Sequence, residues 1–386
     1  MQGWRINMED AHTHILGMPG DKDAYFFGVY DGHGGAKVSQ YAGNHLHKKI
    51  VQADCYAKGE IEEAIKDGFL RLDSEMMNDE EMKDELAGTT AIVALIKDGK
   101  VYCGNVGDSR AVCSVGGLAE ALSFDHKPAN ELEARRIVAA GGWVEFNRVN
   151  GNLALSRALG DFIFKRNDDK PPTEQIVIAY PDVTVRGVST EMEFMVLACD
   201  GIWDVLSSQE VVDFCRDRLA TGMEPEVVCE ELLTRCLAPD CQMGGLGCDN
   251  MTVILACLLQ GQSWEEFQRK CARIRPPTPP ADSDDSHDDD PVSAFVTPPH
   301  TPTPQQTAAV HSSLSSVGAA APAGAGAPPP LVLDSPAEDQ RVPDVAGSTT
   351  TGGGDGGAEE MDDKPPAEFE ADPDEHSKST VTTDVV

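Results

Sequence analysis

Three aspartates in this sequence adjoin apolar runs in a way that suits a metal centre. Asp31 ends the run FFGVY and Asp200 ends the run MVLAC, and a glycine follows each of them. Asp249 instead lies just before the apolar run that begins at Met251. A carboxylate that abuts a buried strand is costly unless it is paired or bound to a cation. Because magnesium and manganese prefer oxygen ligands, the sequence predicts a divalent metal site here.

The two Asp-Gly pairs also have a simpler interpretation as ordinary turns, since both residue types favour turns. Two such pairs, each at the end of an apolar run, favour the metal site over two unrelated turns. Gly32 follows Asp31 and would let a cation approach a main-chain carbonyl, because glycine has no side chain in the way.

Arg5 and His33 are the candidates for binding a phosphate and for moving a proton near that site. Arg5 precedes the acidic pair Glu9 and Asp10. A guanidinium offers a planar fork that suits phosphate oxygens, although a lone arginine near a glutamate is more often a surface ion pair. His33 lies two residues after Asp31, where it could donate a proton beside bound metal. The alternative is a neutral structural histidine.

The elements that must position these residues are predicted to be antiparallel strands covered by helices. Strands are predicted at residues 24–30, 89–96, 101–106, 111–114, 143–146, 194–198 and 251–258. Helices are predicted at residues 36–51, 61–77, 130–140, 208–219 and 226–237. The strands do not alternate strictly with helices, which argues against a doubly wound parallel sheet. Gly107-Asp108-Ser109, between two strands, is predicted to close a tight hairpin.

The composition changes abruptly near Pro276 and divides the chain. Residues 1–260 form the predicted folded domain, and residues 261–275 a short helical extension. Residues 276–386 are acidic and rich in Pro, Gly, Ser and Thr. They hold too few aromatic and branched apolar residues to bury a core, so a disordered tail is expected. This tail is either a solvated segment or a docking arm for basic partners.

The overall composition excludes some classes of partner and location. A net charge of −34 and a pI of about 4.5 argue against nonspecific nucleic-acid binding. No apolar run is long enough for a membrane helix and no signal peptide is evident, so we expect no membrane association and a cytoplasmic or nuclear location, or both. The eleven cysteines are expected to stay reduced. A metal or redox role for Cys241 and Cys248, which flank a glycine-rich loop, is a minor alternative.

Eight motifs together resemble the type 2C family of metal-dependent protein serine/threonine phosphatases, in particular its eukaryotic monomeric members. They occur in the family's order and span nearly the whole predicted domain. The motifs are QGWR with MED at residues 2–5 and 8–10, YDGHGG at 30–35, AGTTA at 87–91, VGDSR at 106–110, DHKP at 125–128, LSRALGD at 155–161, ACDGIWD at 198–204 and DNMT at 249–252.

The resemblance implies an α+β fold: a four-layer α-β-β-α sandwich of two antiparallel β-sheets flanked by helices. It implies two Mg²⁺ or Mn²⁺ ions per subunit in a cleft at one end, with a third, weaker ion in some members. Asp31 would bridge the two ions, and Asp200 and Asp249 would complete one site. The Gly32 carbonyl would serve the other site, with Glu9 acting mostly through bound water.

The resemblance also implies roles for other residues. Asp108 would help Asp200 to hold the third ion. Arg5 would bind the substrate phosphate, and His33 would donate a proton to the departing serine or threonine oxygen. A water activated between the two ions would attack phosphorus directly, without a phosphoenzyme. A flap that chooses substrates is expected within residues 147–172, with Lys165, Arg166 and Lys170 on its solvated surface.

The expected partners are phosphorylated proteins, and the expected state is a monomer. One departure leaves an alternative open. Members of the family usually have a β-strand before the QGWR segment, whereas this sequence has only Met1 there. The alternative is therefore a non-catalytic relative that binds phosphoproteins, or a scaffold that acts through the acidic tail. A third candidate is a metal-dependent hydrolase of small phosphate esters.

Overall fold

The computed structural model describes residues 1–241, 245–274 and 381–385. They contain two five-stranded sheets with helices on the outer faces. Within these ranges no helix is both long and apolar enough to cross a bilayer. Most of the predicted tail and the end of the helical extension, residues 275–380, lie outside the described residues.

Fifteen strands and eight α-helices are assigned in the described residues. The strands are β1 (Ala11–Ile15), β2 (Tyr25–Tyr30), β3 (Gly32–His33), β4 (Gly88–Thr89), β5 (Ala91–Lys97), β6 (Lys100–Val106), β7 (Arg110–Val115), β8 (Leu118–Ala121), β9 (Val144–Glu145), β10 (Arg148–Val149), β11 (Leu159–Gly160), β12 (Asp182–Gly187), β13 (Met192–Ala198), β14 (Val253–Leu258) and β15 (Val381–Val385). The helices are α1 (Lys37–Val51), α2 (Asp54–Ala57), α3 (Ile61–Asn78), α4 (Glu131–Ala139), α5 (Asp200–Trp203), α6 (Ser208–Ala220), α7 (Pro225–Cys236) and α8 (Trp264–Cys271), with 3-10 turns at Phe162–Phe164 and Pro172–Glu174.

The first sheet has the strand order β1-β2-β5-β6-β12, and every neighbouring pair in it is antiparallel. The second has the order β15-β14-β13-β7-β8, in which only β15 runs parallel to its neighbour β14. A small third sheet of β11, β4 and β3 joins three loops. The predicted antiparallel sheets are therefore confirmed, with the parallel edge strand β15 as an addition.

Three layers of apolar side chains hold the sandwich together. Alternate residues of a strand point to opposite faces, so neighbouring side chains enter different layers. Phe26 packs under α1 and α3, whereas Phe27 packs between the two sheets against Met195 and Ile254. Helices α6, α7 and α8 cover the outer face of the second sheet. This gives the α-β-β-α layering that the resemblance implied.

The hairpin predicted at residues 107–109 is wrong. Strand β6 belongs to the first sheet and β7 to the second, so the turn carries the chain from one sheet to the other. Gly107 has a φ of 105°, and a Cβ there would lie 2.7 Å from Thr90. The Ser109 hydroxyl lies 2.7 Å from the Thr90 hydroxyl. This crossing places Asp108 at the end of the sandwich, between the sheets.

Other predicted elements also need correction. The strand predicted at residues 143–146 is only the two-residue β9, because Phe146 and Asn147 adopt positive φ and turn the chain back into β10. Strands β1, β8 and β12 were not predicted, and the sequence AHTHI of β1 carries little apolar signal. The expectation of reduced cysteines is wrong for one pair, because Cys241 and Cys248 form a disulfide that closes the glycine-rich loop.

The two ends of the described chain meet the second sheet near the same edge. Met1 exchanges backbone hydrogen bonds with Met251, just before β14. Strand β15 pairs along β14 itself, so residues 381–385 do not follow the expectation of a wholly disordered tail. Helix α8 lies within residues 261–275, the predicted helical extension, and follows the N-cap residue Ser263, whose hydroxyl accepts from the Glu266 N–H.

Candidate active site

An open cleft lies where the two sheets end together. Strands β2, β6 and β13 finish at this end, and β5, β7 and β14 begin there. All the predicted site residues line the cleft. Those residues are Arg5, Glu9, Asp31, Gly32, His33, Asp108, Asp200 and Asp249. The structure therefore brings together side chains that are up to 244 positions apart in the sequence.

Asp31 is held rigidly by the start of β5. The Asp31 N–H donates to the Thr90 hydroxyl at 3.2 Å, and the Asp31 carbonyl accepts from the Thr90 N–H at 2.9 Å. The Thr89 hydroxyl donates to the same carbonyl. Gly32 is needed here for a reason that the sequence did not show. A Cβ at Gly32 would lie 2.2 Å from the Glu9 carbonyl oxygen, so glycine lets the N-terminal segment reach the cleft.

Asn250 fixes that N-terminal segment, which carries Arg5 and Glu9. Its side-chain amide donates to the carbonyls of Gln2 and Asn7, at 2.7 and 3.0 Å, and its amide oxygen accepts from the Glu9 N–H at 2.8 Å. The Arg5 guanidinium then reaches the Asp249 carboxylate at 2.6 Å. Arg5 is 61% exposed at the mouth of the cleft, so its remaining N–H groups are open to an incoming anion.

The carboxylates in the cleft repel one another. Burial, reinforced by the charges of Asp108, Asp204 and Asp249, raises the pKa of Asp200 to about 7. Burial and the surrounding aspartates hold the pKa of Asp31 well above its usual range. In the described part of the chain, no lysine or arginine forms a salt bridge to either carboxylate. Such a cluster is expensive unless a cation enters it.

The donor set fits a divalent cation. Oxygens of Asp10 and Asp31 and the sulfur of Cys199 lie within 4.8 Å of one another. Asp10 Oδ1 is buried without a hydrogen-bond partner, and burial raises the pKa of Asp10 to about 6. Cys199 already accepts from the Thr252 N–H at 3.1 Å, and burial raises its thiol pKa. The oxygens are thus the available ligands, as magnesium and manganese prefer.

Asp108 differs from the other carboxylates because the protein supplies its counter-ion. Lys127 Nζ donates to Asp108 Oδ2 at 2.5 Å. Burial opposes the charge of Lys127, but the attraction of Asp108 outweighs it and raises the pKa of Lys127. A third cation at Asp108 would therefore have to compete with this ammonium group.

His33 is on β3 and lies beside the carboxylates of the cleft. Its Nε2 is 2.7 Å from Asp161 Oδ2, on the loop after β11. Burial alone would lower the pKa of His33, but the hydrogen bond and charge of Asp161, helped by Asp108 and Glu9, raise it. His33 is 29% exposed in the cleft, so its ring can meet a bound substrate.

Comparison with known proteins identifies the family of the chain. The family model described as protein phosphatase 2C matches residues 1–243. The chain belongs to the protein phosphatase 2C family. It is a protein serine/threonine phosphatase, and metal dependence is general to the family.

The relatives of this phosphatase 2C include proteins from several organisms. A probable protein phosphatase 2C of Caenorhabditis elegans is 66% identical over 273 residues, which cover 71% of this chain and 77% of that protein. Protein phosphatase 2C homolog 2 of Aspergillus fumigatus is 51% identical over 279 residues, covering 69% and 65% respectively. The crystal structure of a serine-threonine phosphatase 2C from Toxoplasma gondii is 26% identical with a TM-score of 0.54, covering 60% of this chain and 86% of that one.

Four residues at the site of this phosphatase were given no role or only a minor one by sequence reasoning. Asp10, Lys127, Asp161 and Asn250 each sit inside one of the eight motifs, which was the only available signal. Their contacts are made across the fold, to partners at least 19 positions away. No local pattern could therefore have assigned them.

Part of the predicted flap of the phosphatase lines the cleft. Arg148, Asn152 and Leu155 line it from that side. Lys165, however, does not lie on a solvated surface. It is buried and donates to both carboxylate oxygens of Asp73, at 2.8 and 2.9 Å. This pair ties the loop after β11 to helix α3.

A second group of charges lies at the base of the flap, and we call it the flap-base network: Glu133, Arg136, Arg157, Asp182 and His126. The side chains of this network are largely buried except that of Asp182, which is 60% exposed. Glu133 accepts from Arg157 and from Arg136, at 2.7 and 2.5 Å. Asp182 accepts from Arg157 at 2.8 Å and lies 3.0 Å from His126 Nε2. Burial would raise the pKa of Glu133, but the two arginines lower it to about 2.

Proposed function

We propose that this protein hydrolyses phosphoserine and phosphothreonine in proteins, with two divalent cations, Mg²⁺ or Mn²⁺, in the cleft. The observation that carries the proposal is the convergence of Asp31, Asp200 and Asp249 with Arg5 and His33 in one open cleft. A cluster of carboxylates, a phosphate-binding guanidinium and a proton donor are the groups that phosphate ester hydrolysis needs.

Asp31, Asp200 and Asp249 would hold the cations, with the Gly32 carbonyl and, through water, Glu9. When bound, such a pair supplies an ionised water at neutral pH and offsets negative charge on the phosphoryl group. The pKa values of Asp31 and Asp200, raised by burial and then by the neighbouring aspartates, support this assignment, because a bound cation would offset both causes. A third ion at Asp108 is less favoured, since Lys127 occupies that carboxylate.

Arg5 binds the phosphate at the mouth of the cleft. Its bond to Asp249 aims the guanidinium along the edge of the carboxylate cluster. A planar fork can then grip two phosphoryl oxygens. His33 donates a proton to the serine or threonine oxygen as the P–O bond breaks, so that an alcohol leaves instead of an alkoxide.

A thiol mechanism is not supported, because Cys199, the cysteine beside the cluster, is fully buried and its pKa is raised. The expected partners are phosphorylated proteins, and we propose a monomer in the cytoplasm or nucleus. The alternative of a non-catalytic relative gains no support from the site, since all its predicted side chains face the cleft.

The test is an assay of the full chain with a phosphothreonine peptide and with p-nitrophenyl phosphate, in manganese, in magnesium and in excess EDTA. We expect release of phosphate from the peptide with either metal and none with EDTA. Tight binding of the phosphopeptide without turnover in either metal would replace the proposal with the non-catalytic alternative. Turnover of p-nitrophenyl phosphate alone would instead indicate a hydrolase of small esters.

A further inference from the structure

The pair formed by His33 and Asp161 is built by parts of the chain that are far apart. His33 lies on β3 and Asp161 directly follows β11, and both strands pair with β4 in the small third sheet. This sheet brings the motifs YDGHGG, AGTTA and LSRALGD together. The central strand, β4, has only two residues, so the backbone pairing of the strands does not by itself explain why the three motifs meet there.

Gly88 on β4 provides the space that the pair needs. A Cβ at this position would lie 2.2 Å from Asp161 Oδ2 and 2.6 Å from His33 Nε2. Atoms essentially never approach so closely, so any larger residue would push the two side chains apart. The glycine of the AGTTA motif is therefore explained by the contact between His33 and Asp161.

Asp161 is held in place by more than its own conformation. Its N–H donates to the Ala87 carbonyl, and its φ of 50° lies in the left-handed region, which aspartate and asparagine tolerate better than most residues. On one side the Gly160 N–H donates to Asp73, and on the other Lys165 grips the same Asp73. The buried pair thus anchors the loop at both flanks of Asp161.

We propose that Asp161 is a positioning residue that holds the His33 ring by Nε2 and so presents Nδ1 to the leaving oxygen. A carboxylate can only accept a hydrogen bond, so Nε2 must carry a proton in this contact. Nδ1 is then the nitrogen left to face the cleft, and in the imidazolium it carries the second proton, which passes to the leaving oxygen while the Nε2–H stays hydrogen-bonded to Asp161. The inference rests on the proposed function, because it assigns the atom from which His33 delivers its proton.

The same logic applies to catalytic triads, in which a buried aspartate fixes the tautomer and orientation of a histidine. Asparagine in that place can donate its own N–H to the ring and no longer enforces one tautomer. Asp161→Asn keeps the size of the side chain and suits the left-handed backbone. It therefore removes the positioning contact with little change elsewhere.

The experiment compares two substrates with different needs for a proton. The threonine oxygen of a phosphothreonine peptide needs the donor, because it must leave as an alcohol. The leaving group of p-nitrophenyl phosphate does not, because p-nitrophenolate is stable without a proton. We expect Asp161→Asn to lower the ratio of kcat for the peptide to kcat for p-nitrophenyl phosphate by about tenfold or more. In a His33→Gln background the same substitution should change that ratio by less than about twofold, because the two residues act as a unit.

Asp182→Asn is the matched control, because Asp182 pairs with His126 outside the cleft in a similar way. It should leave the ratio unchanged. An equal loss of both activities in Asp161→Asn, or an additive effect in the double variant, would overturn the inference and leave the proposed function standing. Absence of peptide turnover in the unmodified protein would count against the proposed function itself.

A second readout does not depend on activity. Nitrogen-15 NMR of the metal-free protein, with His33→Gln to identify the signals, should show the neutral His33 ring protonated at Nε2. Asp161→Asn should give a mixture of tautomers. A ring protonated at Nδ1 in the unmodified protein would contradict the positioning role.

Discussion

The cleft and the flap-base network both collect charged side chains, but their charges are balanced in opposite ways. In the flap-base network the arginines 136 and 157 meet the carboxylates of Glu133 and Asp182, and the pKa of each carboxyl is lowered. In the cleft the carboxylates face one another, and the pKa values of Asp31 and Asp200 are raised. In a balanced network the charges satisfy one another, so that removing one of them is costly, whereas an unbalanced cluster is a place that an external cation completes.

The largest expected effect on stability comes from removing a charge from the flap-base network. Glu133→Gln removes the charge that Arg136 and Arg157 share, and leaves two buried guanidinium groups without it. We expect a loss of about 3 kcal/mol or more in the free energy of unfolding, measured in urea. Glu131→Gln is the control: its partner Arg135 lies in an exposed i,i+4 pair, for which about 0.5 kcal/mol or less is expected. Equal effects of the two variants would refute the distinction.

Removing a charge from the carboxylate cluster of the cleft should lower the catalytic rate and not the stability. Asp200→Asn deletes one predicted metal-ligand charge and relieves repulsion within the cluster. We expect turnover of a phosphothreonine peptide in manganese to fall by about two orders of magnitude or more. The free energy of unfolding without metal should not decrease. Activity like that of the unmodified protein would exclude Asp200 from the metal site.

The smallest effect is a pH dependence of opposite sign in the two regions. Because Asp200 has a pKa of about 7 when folded and a usual value of 3.8, the metal-free folded state binds more protons between those values. Its stability should therefore fall as the pH rises through that window. His33, whose pKa is also raised, acts with the same sign. Glu133, with a folded pKa of about 2, loses its contribution only as the pH falls below about 4.5.

Differential scanning calorimetry can separate these contributions. In EDTA we expect Tm to be about 2–4 °C higher at pH 5.5 than at pH 7.5, which corresponds to roughly 1 kcal/mol. Saturating manganese should remove or reverse the difference, since bound ligands must be deprotonated. Asp200→Asn should flatten the profile without abolishing it, because Asp10, Asp31 and His33, whose pKa values are also raised, remain. A Tm that rises with pH in EDTA would contradict the charge imbalance.

Much of the fold followed from sequence patterns because most elements are strongly periodic. Helix α1 places Val38, Ala42, Leu46 and Ile50 on one face, and it was predicted to within one residue. The missed strands lie at or next to sheet edges. Strand β12 is mostly exposed, and β1 is half-buried with two histidines, so the apolar alternation that marks a strand is weak there.

The site residues also fall into two groups: those that a local sequence pattern reveals and those whose roles depend on distant contacts. Asp31 and Asp200 could be chosen from the sequence because each interrupts an apolar run. Asp161 and Asn250 could not, since their roles arise only when distant loops meet. The false hairpin at residues 107–109 has the same cause: two adjacent strands and a turn do not tell whether the strands share a sheet.

The passage of the chain from one sheet to the other at Gly107 makes the spacing of the acidic groups depend on how the layers are stacked. Asp31 is carried by the first sheet, Asp200 by the second, and Asp108 by the link between them. The side chains packed between the sheets, such as Ala111 and Cys113, therefore help to set the distances between the carboxylates of the proposed cation site. We expect a bulkier residue between the sheets to change first the preference of the protein among metal ions of different radius.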